Sequence, residues 1–439
     1  MSAAALAAFL QPFLHYRRWW IAYSGGLDSH VLLHALADLR QREKTPALTA
    51  LHINHQLNPL ANEWSAHCER VCAQLGIEFI AEKVAVINNG DGLEAAARRA
   101  RYAAFEHHVN ADELLLQAHH CDDQIETLLL RLLRGSGIAG LAAMPAQREL
   151  GQGILLRPLL QWRRADLQTY AQQHQLRWIE DDSNYNDRFD RNFLRLNILP
   201  LLAQRWPAYP DTLTRVVAQA REATLLIGEL AQQDLQSMDV VDGTLPIADC
   251  IDLSATRLRN LLRYWIQQQH LSQPSREQLQ QVVAMLTARA DAQPCVSWPG
   301  AELHRFRDRL FAMPPLPPLP SHAIDIEWNC TQPLRIDGMG ELSATTAIGT
   351  GLRSDLSYRV RNRHGGERCR PIGRAHSQTL KKLLQEYAVP SWLRDRLPII
   401  YCGDQLAAVA DLWVCDGFQP PPSESGWVID WNATPLISN

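Results

Sequence analysis

Apolar positions in the first part of the chain fall into short β-rich runs that alternate with stretches of helical period. Trp20-Ile21-Ala22-Tyr23 predicts a strand and the run to Leu39 a helix, and Leu48 to Ile53 followed by Asn62 to Leu75 repeats the pair. Glu78-Phe79-Ile80, then Leu93 to His108, then Leu114 to Ala118 continue the alternation. Strands interleaved with helices of about 10 to 15 residues predict βαβ units, hence an α/β fold with a doubly wound parallel sheet. Ligands of such sheets sit at the carboxyl ends of the strands. From about 210 to 290 the β signal fades and amphipathic helical runs take over, as in Leu258 to Trp265. Met313 to Pro320 is proline-dense and predicts a stiff, extended linker. Mixed strands and helices return from roughly 345 to 430. The expected organisation is an α/β domain over 1–208, a helical middle domain over 209–312, a linker over 313–344 and a small α+β C-terminal domain over 345–439.

Composition changes this picture little. At 439 residues and 46% hydrophobic content the chain is long enough for two or three domains with real cores. No run reaches the roughly 18 apolar residues of a membrane span, and no basic stretch precedes the apolar residues of Met1 to Leu14, so no membrane association and a cytoplasmic location are expected. The nine cysteines are scattered and never spaced Cys-x-x-Cys, which predicts reduced thiols. Net charge is −4, against a protein coated for nucleic acid. Its distribution says more: Arg353, Arg359, Arg361, Arg363, Arg368, Arg370, Arg374, Lys381 and Lys382 face only Asp355 and Glu367 between 353 and 382. A basic patch lies inside an acidic total.

Candidate chemistry begins at Ser24-Gly25-Gly26-Leu27-Asp28-Ser29, between the first strand and its helix. Adjacent glycines let the backbone turn sharply and bring N–H groups against a ligand, and a helix N-terminus favours an anion. A carboxylate such as Asp28 beside polyphosphate would repel it unless a cation such as Mg²⁺ intervened. No lysine completes a Gly-x-x-x-x-Gly-Lys-Ser/Thr pattern.

Two further runs carry charge at helical spacing. Glu94, Arg98 and Arg101 share one helix face, a spacing that by itself suits a solvated ion pair. In His119-His120-Cys121-Asp122-Asp123-Gln124-Ile125-Glu126, residues His119, Asp123 and Glu126 follow at intervals of four and three, just beyond a strand. Helix capping explains Asp122 and Asp123 but hardly Glu126. Carboxylates here could hold a cationic amine, orient it and take its proton. Arg191 and Arg195, one helical turn apart, suit a phosphate-backbone contact.

Ser24 to Ser29 resembles the SGGxDS loop of the PP-loop ATP pyrophosphatase superfamily (adenine nucleotide alpha hydrolase-like), which splits ATP between the α and β phosphates. The resemblance implies ATP binding by Ser24, Gly25, Gly26, Leu27, Asp28 and Ser29, with Asp28 at the Mg²⁺ and phosphate end. Leu51-His52-Ile53-Asn54-His55-Gln56-Leu57 is similar to an HxNHxL segment near the adenine. Glu94 to Tyr102, His119 to Thr127, Leu132 to Leu141, Leu156 to Leu160, Trp178 to Asn184 and Arg191 to Arg195 resemble the tRNA(Ile)-lysidine synthetase branch, with Cys121 where alanine is expected. Arg361 to Pro371, Lys381 to Glu386 and Pro390 to Pro398 resemble the C-terminal domain of its longer bacterial members.

That branch adenylates the wobble cytidine of tRNA(Ile) with anticodon CAU and releases pyrophosphate. L-lysine then displaces AMP, forming lysidine and changing codon reading from AUG to AUA. The resemblance implies Asp28, Arg98, Asp123 and Glu126 as catalytic residues, and His119, Asp123 and Glu126 as the lysine site. It implies tRNA contacts from Arg191, Arg195, Arg361, Arg363, Arg368, Lys381 and Lys382, and a homodimer is one state it allows. A sulfurtransferase on the same scaffold would need a cysteine carrying persulfide or an iron-sulfur cluster, usually from a Cys-x-x-Cys pair, which the sequence lacks.

Overall fold

The computed structural model describes residues 2–88, 90, 92–182, 186–289 and 294–433. The chain divides into two compact units, 1–226 and 227–439.

The first unit is built on a six-stranded sheet of order β3-β2-β1-β4-β6-β5. Its strands are β1 (Arg18–Ala22), β2 (Ala47–Asn54), β3 (Glu78–Lys83), β4 (Glu113–Leu116), β5 (Gln147–Leu150) and β6 (Gly153–Leu156). Helices α1 (Ala3–Leu10), α2 (Leu27–Arg42), α3 (Ala61–Gln74), α4 (Leu93–His108) and α5 (Cys121–Leu133) precede or connect the first four strands and follow β4. β1, β2, β3, β4 and β6 run parallel, whereas β5 adds an antiparallel edge that the sequence did not reveal. The parallel strands are apolar on successive residues because both faces are covered. Trp19, Ile21, Leu114 and Leu116 pack with α2 residues Leu32, Leu33 and Leu36 on one face. Trp20 and Leu115, offset by one residue, pack with Phe105 of α4 on the other.

The chain steps outward from β1 to β2 to β3, then returns through α4 to β4 on the opposite side of β1. Strand order therefore reverses between β1 and β4. The turns that leave these two strands lie side by side at their carboxyl ends, where doubly wound sheets bind ligands.

In the second unit, helices Ala255–Gln268 and Arg276–Met285 share a core with a four-stranded antiparallel sheet, in which Cys295–Trp298, Ala301–Phe306 and Arg309–Met313 are consecutive strands. The span expected to be helical therefore ends in strands, whose alternation is short and broken by Trp298-Pro299-Gly300. The proline-dense stretch lacks helix and strand only from 314 to 324. Asp325–Trp328 and Leu334–Ile336, within the expected linker, already pair with strands that follow. A five-stranded and a four-stranded antiparallel sheet and a two-stranded ladder of Arg368–Cys369 with Gln378–Thr379, with helices Leu380–Glu386 and Ser391–Arg394, make up the C-terminal part. No helix of the described residues is long and apolar enough to cross a membrane.

Candidate active site

The turn after β1 is laced by its own hydroxyls. Ser29 Oγ accepts from the Ser24 N–H (3.2 Å), lies 3.0 Å from Ser24 Oγ and donates to the Gly26 carbonyl (3.0 Å). Gly25 has φ +85°, and a Cβ there would lie 2.6 Å from Ile179 Cδ1 and 2.8 Å from Cys68 Sγ. Only glycine meets both demands. The Ile179 N–H donates to the Gly25 carbonyl (2.9 Å), so the run from Trp178 braces the loop, although Ser183 and Asn184 of that run lie outside the described residues. Gly26 caps α2 and leaves the first-turn N–H groups at the carboxyl end of β1. His52 donates from Nδ1 to the Tyr23 carbonyl (2.9 Å), and Asn54 reaches Ser65 of α3 (3.1 Å), so the segment after β2 fixes the same corner.

Asp28, in the first turn of α2, faces the turn after β4. There His120 is 1% exposed and sits among three carboxylates: Asp28 at 3.6 Å, Asp122 at 3.5 Å and Asp123 at 3.4 Å. Burial alone would discharge the ring, but Asp122, Asp28 and Asp123 outweigh it and raise its pKa to about 10. Burial likewise opposes ionisation of Asp123, and the His120 cation, Arg191 and the His120 N–H (3.0 Å) overcome it, holding the pKa at about 2. Asp28 Oδ1 is buried with no hydrogen-bond partner among the described residues. A hard cation such as Mg²⁺ fits that oxygen.

His119 behaves differently from its neighbour. Burial pulls its pKa down to about 3, and its Nδ1 accepts from Arg157 Nε (3.2 Å), as a neutral ring can. Arg157, 2% exposed, also donates to the Pro145 carbonyl (2.7 Å).

Glu126 departs most from the sequence reading. It is fully buried, and each oxygen is claimed by an arginine: Oε2 accepts from Arg191 Nε and Oε1 from Arg195 Nε, both at 2.7 Å, with Arg195 Nη2 adding a third bond at 3.1 Å. Both guanidinium groups also lie 3.6 to 3.7 Å from Asp123 Oδ1. Glu126, expected to meet an amine, and Arg191 and Arg195, expected to meet RNA phosphate, are instead paired with one another. The geometry makes Glu126 the anchor that aims two arginines at the carboxylate cluster.

Arg98 is exposed on α4, with its guanidinium carbon 4.7 Å from the centre of the Tyr102 ring, and Arg148 of β5 approaches the same ring at 4.8 Å. The Tyr102 hydroxyl donates to Gln117 (3.3 Å), just past β4, which links this stack to the site. Arg148 lies in a strand without a motif, and the sequence gives no signal for it. A cavity of about 240 Å³ beside the cluster is lined by Asp122, Glu126, Arg164, Arg195, Leu199 and Tyr209, among others.

Comparison with known proteins decides the family. A PP-loop domain model matches residues 1–202, a TilS substrate binding domain model 245–311 and a TilS substrate C-terminal domain model 358–431. The chain is 43% identical over 431 residues to a tRNA(Ile)-lysidine synthase of Coxiella burnetii, covering 97% of this chain and 95% of that protein. It is 42% identical to one from Serratia proteamaculans (95% and 96% covered) and 43% to one from Alkalilimnicola ehrlichii (96% of each). The chain belongs to the tRNA(Ile)-lysidine synthase family.

The family's C-terminal region carries the expected basic residues here, and the structure sorts them. Arg361 pairs with Asp325 (3.2 Å) and lies over the Tyr401 ring, and Arg363 pairs with Asp395 (3.0 Å). Both are half-buried. Arg370 is paired with Asp416 and Arg353 with Asp355. Arg368, Lys381 and Lys382 are exposed; Arg368 donates to the Ser377 carbonyl (2.9 Å), and Lys382 lies 3.9 Å from Glu386. The ladder that pairs Arg368 with Thr379 brings Arg368 beside the two lysines.

Proposed function

We propose that this chain ligates L-lysine to C2 of the wobble cytidine of tRNA(Ile) bearing the anticodon CAU, through an adenylated cytidine, with release of pyrophosphate and then AMP. The observation that carries the proposal is the glycine turn and Asp28 set against the Asp122, Asp123 and His120 cluster at the strand-order reversal, in a member of this family. The first-turn N–H groups of α2 receive the phosphates of ATP. Asp28, through its unpartnered buried oxygen, would hold Mg²⁺, which when bound offsets phosphate charge. The His120 cation and the arginines held by Glu126 offset the charge of Asp28, Asp122 and Asp123, which would otherwise repel the departing pyrophosphate.

The lysine side chain requires an apolar wall and an anionic end. The cavity beside the cluster offers Leu199 and Tyr209 as wall and Asp122 as anion. Asp123, ionised well below neutral pH, adds attraction for the ammonium. His119, neutral, is suited to hydrogen bonding rather than to repelling the amine. Arg98 stacked on Tyr102 suits a nucleotide base or phosphate at the mouth of the site. Exposed Arg368, Lys381 and Lys382 suit the RNA backbone. A tRNA substrate accords with a cytoplasmic location.

The experiment is transfer of label from [α-³²P]ATP to CAU-bearing tRNA(Ile) with lysine omitted. The expected result is a tRNA-linked AMP that lysine discharges and that Asp28→Ala fails to form. ATP consumption without labelled tRNA, or dependence on a sulfur donor, would contradict the proposal.

A further inference from the structure

The edge hairpin of the four-stranded sheet in the second unit gathers three metal-ligating side chains that the ligation chemistry does not use. Strands Cys295–Trp298 and Ala301–Phe306 pair antiparallel in the register Cys295 with His304 and Ser297 with Glu302. Directly opposed residues share a face, as do residues two apart on one strand, so Cys295, Glu302 and His304 project together.

Their donor atoms converge. Cys295 Sγ lies 3.7 Å from His304 Nε2, Glu302 Oε2 lies 3.0 Å from the same nitrogen, and all three atoms fall within 4.8 Å of one another. A tetrahedral Zn²⁺ with bonds of about 2.3 Å to sulfur and about 2.0 to 2.1 Å to nitrogen and oxygen sets neighbouring donors about 3.3 to 3.6 Å apart. The two shorter separations are therefore within a few tenths of an ångström of a zinc polyhedron, and the remaining sulfur-to-oxygen gap closes by rotation of the Glu302 side chain.

The imidazole is already held for the purpose. His304 is 8% exposed and its ring packs against Trp392 at 4.4 Å, whereas Cys295 is exposed and Glu302 half-buried, which leaves an entry path. Thiolate and imidazole donors select a borderline-soft transition cation over Mg²⁺ or Ca²⁺.

We infer that Cys295, Glu302 and His304 form a zinc-type divalent cation site with a fourth position for water. On binding, the thiol releases its proton to solvent and His304 stays neutral by carrying its proton on Nδ1. The ion cross-links the two strands of the hairpin and fixes the ring under Trp392, which begins near the start of helix Ser391–Arg394 in the C-terminal part of the same unit.

The test uses the full-length, tag-free protein stripped with a chelator and then exposed to Zn²⁺ or Co²⁺. Wild type should retain one zinc per chain after gel filtration, should give a thiolate-to-cobalt charge-transfer band, and should have Cys295 protected by Zn²⁺ from iodoacetamide. Cys295→Ser should lose the band, and Cys295→Ser and Glu302→Gln should each bind Zn²⁺ about a hundredfold more weakly with unchanged circular dichroism. The inference is overturned if folded wild type gives no cysteine-dependent band, or if Cys295→Ser binds Zn²⁺ as tightly as wild type.

Discussion

Replacing Glu126 by glutamine separates an anchor from a substrate contact. The side chain keeps its size, but one oxygen becomes an NH₂ that must face an arginine N–H now 2.7 Å away, so one bond becomes a donor-to-donor contact. The negative charge is lost as well, leaving Asp123, 3.6 to 3.7 Å from both guanidinium groups, as their nearest carboxylate among the described residues. Breaking a buried ion pair from one side costs about 3 to 5 kcal/mol, and because the arginine side chains are 28% and 25% exposed, water offsets part of this, so about 3 kcal/mol is expected. Hydrogen exchange followed by mass spectrometry reads this locally, which avoids assigning one unfolding free energy to a two-unit chain. Protection of peptides covering 121–133 and 190–205 should fall by about a hundredfold, since 1.4 kcal/mol is about a factor of ten. Unchanged protection together with a raised KM for lysine would refute the anchor and restore Glu126 as a direct lysine contact.

Three other outcomes follow from the same geometry. Gly25→Ala should cost at least about 1 to 2 kcal/mol from its positive φ alone and abolish label transfer from ATP, because its Cβ meets Ile179 and Cys68; near-normal transfer would show that the loop is not required in this shape. Glu113 is buried, which opposes its charge, but Trp20 Nε1, the Asn110 N–H and Arg17 overcome this and lower its pKa. Its stabilising contribution is therefore present above the usual carboxyl range and lost as pH falls through the depressed folded value, so Glu113→Gln should flatten the acid limb of a stability-against-pH curve. Arg368→Ala and Lys381→Ala should each weaken tRNA binding and reduce its salt dependence by about one charge, whereas Arg361→Ala should act mainly on stability by freeing Asp325; equal salt slopes for all three variants would overturn this division.

How far the site was legible depended on whether its signal was local. The glycine turn with Asp28 is one contiguous run and 119–126 another, and strand-then-helix periodicity alone puts each at a strand end. The covered parallel strands are legible for the same reason, because burial on both faces leaves unbroken apolar runs such as Trp19-Trp20-Ile21. What depends on distant pairing was not legible. Nothing in the spacing of Glu126 tells that two arginines more than sixty residues away take both its oxygens. A row of arginines reads as a patch until strand register sets Asp325 against Arg361 and leaves Arg368 exposed. Arg148 sits on an antiparallel edge strand too short to show a period, and Cys295 and His304 meet only because a hairpin turns between them.

The central claim is that the Asp28 corner activates an RNA base and that the adjoining carboxylates deliver lysine to it. Incubation of the protein with ATP, Mg²⁺, labelled L-lysine and tRNA(Ile) bearing CAU tests it directly. The account predicts acid-precipitable label at the wobble cytidine, in equal amount to AMP released, and none with Asp28→Ala. Lysine-independent modification of the tRNA, or full incorporation by Asp28→Ala, would contradict it.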